Sequence, residues 1–134
     1  MATKEEVAAF FASQFPQANC AIHAIGNRGA TVFRAIGDAD LRPGGTVAGP
    51  VLMAVADIAL YAAILGEAGI VPMAVTTSFT INFLHKPDAS KGILGVCKLL
   101  KVGRTQVVGE VCLYSEGSSV VLAHATGTYF MPQT

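Results

Sequence analysis

The sequence predicts one α+β domain in which a long buried helix is followed by an antiparallel meander of strands. Three observations predict it. Residues 51–65 are apolar except for Asp57, so a helix there must be covered nearly all round. Beyond Pro72 the apolar period changes to two, the repeat of a half-buried strand. The later strand candidates are joined tightly at Gly103-Arg104 and Glu116-Gly117, as antiparallel neighbours are.

Each element carries its own signal. Thr3 followed by Glu6 has capping-box spacing, and Val7, Phe10, Phe11 and Phe15 recur at helical period before Pro16, which predicts an amphipathic lead-in helix within 1–15. Two short strands are expected at 19–25 and 30–36 around the turn at 26–29. Residues 37–46, dense in Gly, Asp and Pro, read as loop. Gly49-Pro50 starts the central helix, because proline suits the first helical position, and the helix should stop near 66–69. In the next strand Val75, Thr77, Phe79, Ile81 and Phe83 share one face, while Thr76, Ser78, Thr80 and Asn82 form a polar row on the other. Further strands are expected at 91–102, 105–115 and 119–131. No repeat or linker divides the chain, so residues 1–134 are expected to form a single domain.

Composition narrows the function classes. The chain is 52% hydrophobic and only 13% charged, more apolar than a soluble monomer of this size needs, which points to surface shared with another subunit. Nine basic and nine acidic residues cancel, leaving no electrostatic footprint for nucleic acid or an anionic membrane. The apolar run of about fifteen residues falls short of the roughly 20 that span a bilayer. The start of the chain lacks a basic and apolar leader, so a cytoplasmic protein is expected. Cys20, Cys97 and Cys112 are an odd, scattered set without metal-ligand spacing; free thiols and no metal site are expected. Gly44-Gly45-Thr46 lacks the lysine of a P-loop.

Asp57 is the residue that most asks for a function. Its helical neighbours at 53, 54, 60 and 61 are Met, Ala, Leu and Tyr, and an ionised carboxylate costs several kcal/mol to desolvate unless partnered. It lies about two turns into the helix, beyond the reach of the N-terminal dipole. Its partners must come from elsewhere in the fold; Tyr61 or strand hydroxyls would make it a purely structural carboxylate. His23, His85 and His124 have no triad-like neighbours and are read as non-catalytic.

The run Arg42-Pro43-Gly44-Gly45-Thr46-Val47-Ala48-Gly49-Pro50, followed by Asp57, resembles the Asn-Pro-x-Gly-x-x-His-Gly-Gly…Asp motif of hotdog-fold acyl-CoA thioesterases of the PaaI type, with its spacing kept. Residues 75–87, Val102-Gly103-Arg104 and 123–129 resemble the later strands of that family, so the likeness runs from about residue 30 to the end of the chain. It implies a dimeric or tetrameric hotdog fold, a central helix wrapped by an antiparallel sheet, and hydrolysis of an acyl-CoA or aryl-acyl-CoA without a cofactor. It implies Asp57 as general base or nucleophile, Gly49 as the backbone donor to the thioester carbonyl, and Thr76 as support for the carboxylate, with Thr77 in reserve. Arg42, Thr46, Ala48, Pro50, Thr77, Asn82 and Arg104 are then expected about the substrate, and of the C-terminal cations Lys86, Lys91, Lys98, Lys101 and Arg104 that could meet coenzyme A phosphates, Arg104 stands out because a turn exposes it.

Three positions depart from the family motif: Arg42 replaces Asn, Ala48 replaces His, and Pro50 replaces the second Gly. Pro50 has no N–H, so oxyanion donors are expected from Gly49 and from Val51 or Leu52. Arg42 could read an acidic acyl group or pair with Asp57. The departures leave a non-catalytic acyl-CoA or hydrophobic-ligand binding module as the alternative. An enoyl-CoA hydratase is disfavoured, because no histidine follows Asp57 in the helix.

Overall fold

The computed structural model describes residues 1–133; Thr134, the last residue of the expected domain, lies outside them. Helix α1 (Lys4–Gln14) begins at the expected capping box, with the Glu6 N–H donating to Thr3 Oγ1 at 3.1 Å and the Thr3 N–H donating to Glu6 Oε1 at 3.0 Å. Strands β1 (Ala21–Gly26) and β2 (Gly29–Arg34) form a hairpin through Asn27 and Arg28, whose φ angles of 52° and 58° are those of a primed turn. The stretch 37–46 is not loop throughout. It holds two short paired strands, β3 (Leu41–Arg42) and β4 (Thr46–Val47). Pro43 and Gly44 form the turn between them, with Gly44 at φ 98° and the Gly45 N–H donating to the Arg42 carbonyl at 3.0 Å. Turn residues and strand residues are so interleaved here that the composition reads only as loop.

Helix α2 (Gly49–Ala68) is followed by β5 (Val75–Phe83), β6 (Ile93–Val102), β7 (Gln106–Ser115) and β8 (Ala123–Phe130). One antiparallel sheet has the order β1-β2-β6-β7-β8-β5. The expected meander is therefore only β6-β7-β8. Since β6 is flanked by β2 and β7, β5 crosses to the far side and pairs with the free edge of β8, becoming an edge strand itself.

The sheet wraps α2, and it can come close because side chains are missing where the helix presses hardest. Gly109 and Gly127 face each other across β7 and β8, and a Cβ on either would stand 2.7 or 2.6 Å from a δ-carbon of Leu60. The fully buried Leu60 thus fills a hole made by two cross-strand glycines. Gly66 does the reverse, its missing Cβ leaving room for Ile25 Cγ2 from β1. At 20 residues α2 is longer than the apolar run that announced it, and it is long and apolar enough to cross a membrane; the fold buries 67% of its most apolar window.

Replacing Gly127 with alanine should destabilise the fold by about 1–3 kcal/mol, the usual range for overpacking a filled core. Denaturant unfolding measures this. A loss within error would mean that Leu60 can yield into neighbouring space.

Candidate active site

Asp57 lies two turns into α2 and is half-buried, less enclosed than its apolar neighbours suggest, and its side-chain partners come from β5 and β8, the last two strands of the sheet. Its Oδ1 accepts two hydrogen bonds, from Thr76 Oγ1 at 2.8 Å and from Tyr129 Oη at 2.7 Å. Tyr129 Oη is also 3.2 Å from the Asp57 carbonyl oxygen. Oδ2 accepts no hydrogen bond among the described residues. Tyr61 is not a partner. Its hydroxyl donates to the Pro72 carbonyl at 3.0 Å.

Thr76 reaches Asp57 only because β5 is irregular. Strict alternation puts Thr76 on the polar row with Ser78 and Thr80, away from the helix. A bulge between Thr76 and Ser78 shifts the register: Thr76 pairs with Tyr129, Phe79 with Gly127, and Ile81 with Ala125. Thr76 therefore shares the helix-facing side with Phe79 and Ile81, and Thr77 is the extra residue. The Thr77 hydroxyl donates to the Thr128 carbonyl at 3.2 Å, so it is used within the sheet rather than as a reserve partner for Asp57.

Asp57, Thr76 and Tyr129 open on a cleft of about 460 Å³ that Phe10, Phe15 and Tyr61 help to line. Tyr61 is the hub of the aromatic wall, its ring centroid 6.2 Å from those of Phe10 and Phe15, 5.8 Å from Phe11 and 6.1 Å from Tyr129. Burial, and then the Asp57 charge, push the Tyr129 phenol far above the ordinary value, so it donates a hydrogen bond and keeps its proton. Burial likewise raises Tyr61. The three cysteines are free, as expected. Burial pushes the Cys20 thiol up to about 11 and the Cys97 thiol up to about 12, which makes both poor nucleophiles.

The start of α2 faces a different cleft, of about 470 Å³, lined in part by Arg42, Thr46, Gly49, Phe83, His85 and Lys86. Ala48 is the N-cap and offers no side-chain hydrogen bond. The Ala48 carbonyl takes the Val51 N–H at 3.0 Å and the Leu52 N–H at 3.4 Å, so neither is the spare donor expected from the sequence. Pro50 has no N–H. The Gly49 N–H has no acceptor among the described residues and is the free donor of the first turn.

The loop before it is pinned. Arg34 Nη2 contacts Asp40 Oδ1 at 2.8 Å, the Gly37 N–H donates to Oδ2 at 2.9 Å, and the Ala48 N–H donates to the Asp40 carbonyl at 2.9 Å. The Gly37 N–H and the Arg34 guanidinium hold the Asp40 carboxyl below the usual carboxylate range.

The structure thus divides the expected site residues. Gly49, Thr46 and Arg42 line one cleft and Asp57 and Thr76 the other; Ala48 and exposed Pro50 flank Gly49 at the helix start. Arg42 makes no ion pair with Asp57 among the described residues. Asn82 pairs with His124 on the sheet face away from α2, and Arg104 sits in the β6–β7 turn, so neither lines these clefts. Tyr129 was missed by sequence reasoning. Its signal was there: Ala123, Ala125, Gly127 and Tyr129 alternate as one buried face, and a buried tyrosine hydroxyl seeks an acceptor.

A six-stranded antiparallel sheet wrapped around one long helix is the hotdog arrangement of α+β proteins. Residues 44–122 match the thioesterase superfamily, and the chain belongs to that family. A candidate thioesterase from Silicibacter sp. TM1040 is 38% identical, with a TM-score of 0.90 over 98% of this chain and 92% of that one. The PaaI protein of the E. coli phenylacetic acid degradation operon is 17% identical, with a TM-score of 0.78 over 95% of this chain and 94% of that one. A hypothetical thioesterase from Streptococcus pneumoniae TIGR4, solved with coenzyme A, is 19% identical, with a TM-score of 0.76 over 87% and 88% of the two chains. The two more distant likenesses speak for the fold alone. No curated protein matches the sequence.

All three tyrosines have raised phenols, burial being the first cause in each. The folded chain therefore holds these protons more tightly than the unfolded chain. Their contribution to stability should be intact below the ordinary phenol value of about 10 and decline as pH rises beyond it. A spectrophotometric titration of the folded protein at about pH 10 should show less phenolate than free tyrosine gives, with the remainder appearing on unfolding. Half-ionised tyrosines at that pH in the folded state would contradict the buried Tyr129 donor.

Proposed function

We propose that the protein hydrolyses an acyl-CoA or aryl-acyl-CoA thioester to the carboxylic acid and free coenzyme A, in the cytoplasm and without a cofactor. The observation that carries this reading is Asp57, with one carboxylate oxygen fixed by two hydroxyls and the other free beside an aromatic-walled cleft. As general base, Asp57 Oδ2 takes a proton from water as the water oxygen attacks the thioester carbon. A backbone N–H stabilises the oxyanion that forms. The C–S bond then breaks, and the proton held by Asp57 passes to the departing thiolate.

The same reading calls for two chains. Gly49 and Asp57 are eight residues apart on one rigid helix, roughly 12 Å at 1.5 Å per residue, too far to serve one thioester group. We assign the oxyanion donor to one chain and the carboxylate to its partner. Support comes from the unpaired outer edge of β5 and from Val75, Phe83 and Met53, apolar side chains left exposed on β5 and α2. Pairing two β5 edges would satisfy both chains and bring their α2 helices together.

Asp57→Asn keeps the volume and removes the base, and should lower turnover by at least about 100-fold while the protein stays folded. Free-thiol release across a panel of acyl-CoA thioesters reads it. Coenzyme A binding with no thiol release from any thioester would instead make the chain a binding module.

Gly49→Pro deletes the free N–H at a helix position where proline is tolerated, and the added Cβ would meet nothing closer than Phe83 Cζ at 3.5 Å. Chains carrying Asp57→Asn and chains carrying Gly49→Pro should each be inactive alone. Mixed one to one, they should recover about a quarter of wild-type activity, since half the dimers are then mixed and each has one intact site. Mixtures that stay inactive, or a fully active monomer, would refute the shared site.

A further inference from the structure

We propose that Tyr129 is the positioning residue of the site: its hydroxyl, with that of Thr76, locks Asp57 Oδ1 so that Oδ2 alone meets the attacking water. The proposal rests on Asp57 being the catalytic base.

Three features carry it. The two donors converge on the same oxygen, at 2.7 and 2.8 Å, and leave the other oxygen without a protein donor among the described residues. Thr76 and Tyr129 are direct cross-strand partners at the β5 bulge, so a single piece of sheet presents both hydroxyls. Tyr129 is also only 3% exposed and stacked 6.1 Å from Tyr61, which leaves its ring no freedom to follow a turning carboxylate. A base fixed at one oxygen has its other oxygen preset for a near-attack geometry, and small misplacements of such a group are costly.

The alternative chemical role, a proton donor to the departing thiolate, does not suit this phenol. Burial and the adjacent Asp57 charge hold its proton more firmly than in ordinary tyrosine. At neutral pH it donates a hydrogen bond and keeps its proton. Its single hydrogen has two acceptors on the same residue, Oδ1 at 2.7 Å and the carbonyl oxygen at 3.2 Å, so the phenol ties the carboxylate to the helix backbone that bears it.

The test is Tyr129→Phe, which keeps the ring and its stack and deletes the hydroxyl. With the acyl-CoA that wild type hydrolyses fastest, kcat should fall roughly 10- to 100-fold, the range expected for losing a hydrogen bond to a charged group at a reacting centre, while KM stays within about twofold. In the Asp57→Asn background the same change should alter the residual rate by less than about twofold, because no reacting oxygen remains to be aimed. Should Tyr129→Phe fold poorly, Thr76→Val removes the other donor at nearly equal volume and is read in the same way, with Thr76→Ser expected to restore the rate. Wild-type kcat in folded Tyr129→Phe, or an equal loss with and without Asp57, would overturn the positioning role. Near-wild-type turnover of Asp57→Asn would instead bring down the catalytic reading on which it rests.

Discussion

The close approach of α2 to its sheet is the constraint on which the rest depends. A helix so apolar must be covered, and the cover is close because Gly109 and Gly127 leave a hole that Leu60 fills. Leu60 and Asp57 are three residues apart and so stand near one another on the helix surface. Gly127 and Tyr129 are likewise two residues apart on one face of β8. The packing contact and the hydrogen-bonding contact are therefore one docking event, repeated one step along. Pushing β8 outward at Gly127 would also move the Tyr129 hydroxyl away from the carboxylate.

That coupling explains how a half-buried carboxylate is tolerated in an apolar helix. Desolvating Asp57 has a cost that no neighbouring side chain on α2 can offset. Two O–H donors from the β5–β8 edge offset it, and both belong to side chains that the sheet already holds in place. The cleft beside it is lined by Phe10 of α1 and by Phe15 just after it, while Tyr61 is fixed through the Pro72 carbonyl. The family match begins at residue 44, after α1, so this aromatic wall is built partly from chain outside the shared segment.

Much of the fold was legible because it follows from local rules. The capping box at Thr3, the Gly49-Pro50 helix start and the period-two strand at 75–83 each have a residue-level cause, and each element stands where that cause puts it. Pairing partners were less legible, since β5 joins β8 rather than β6 by elimination among edges, which no local pattern encodes. Asp57 could be singled out by its isolation and Gly49 by its place at the helix start. The bulge could not be: a one-residue irregularity reverses the face of Thr76 while leaving the alternation 75–83 unchanged on paper. Asn82 keeps the parity expected of it, and its polar face lies opposite the helix, which the alternation alone does not reveal. The oxyanion donors were over-counted because only coordinates reveal that the Ala48 carbonyl already uses Val51 and Leu52.

The variant motif is best understood through what each departure removes. Pro50 deletes one N–H from a first turn whose next two are occupied, which leaves Gly49 as the free donor rather than one of several. Ala48 contributes no side chain to the N-cap, so nothing local competes for that donor. The loop that presents it is held instead from behind, by Arg34, Gly37 and Asp40, through the bond from the Ala48 N–H to the Asp40 carbonyl. The Gly49 donor and the Asp57 carboxylate sit eight residues apart on one α-helix, roughly 12 Å at 1.5 Å per residue, which a regular helix cannot close. If they act on one thioester, as proposed, the missing proximity has to come from a second helix, and the open β5 edge beside Asp57 is where a second copy has backbone to pair with.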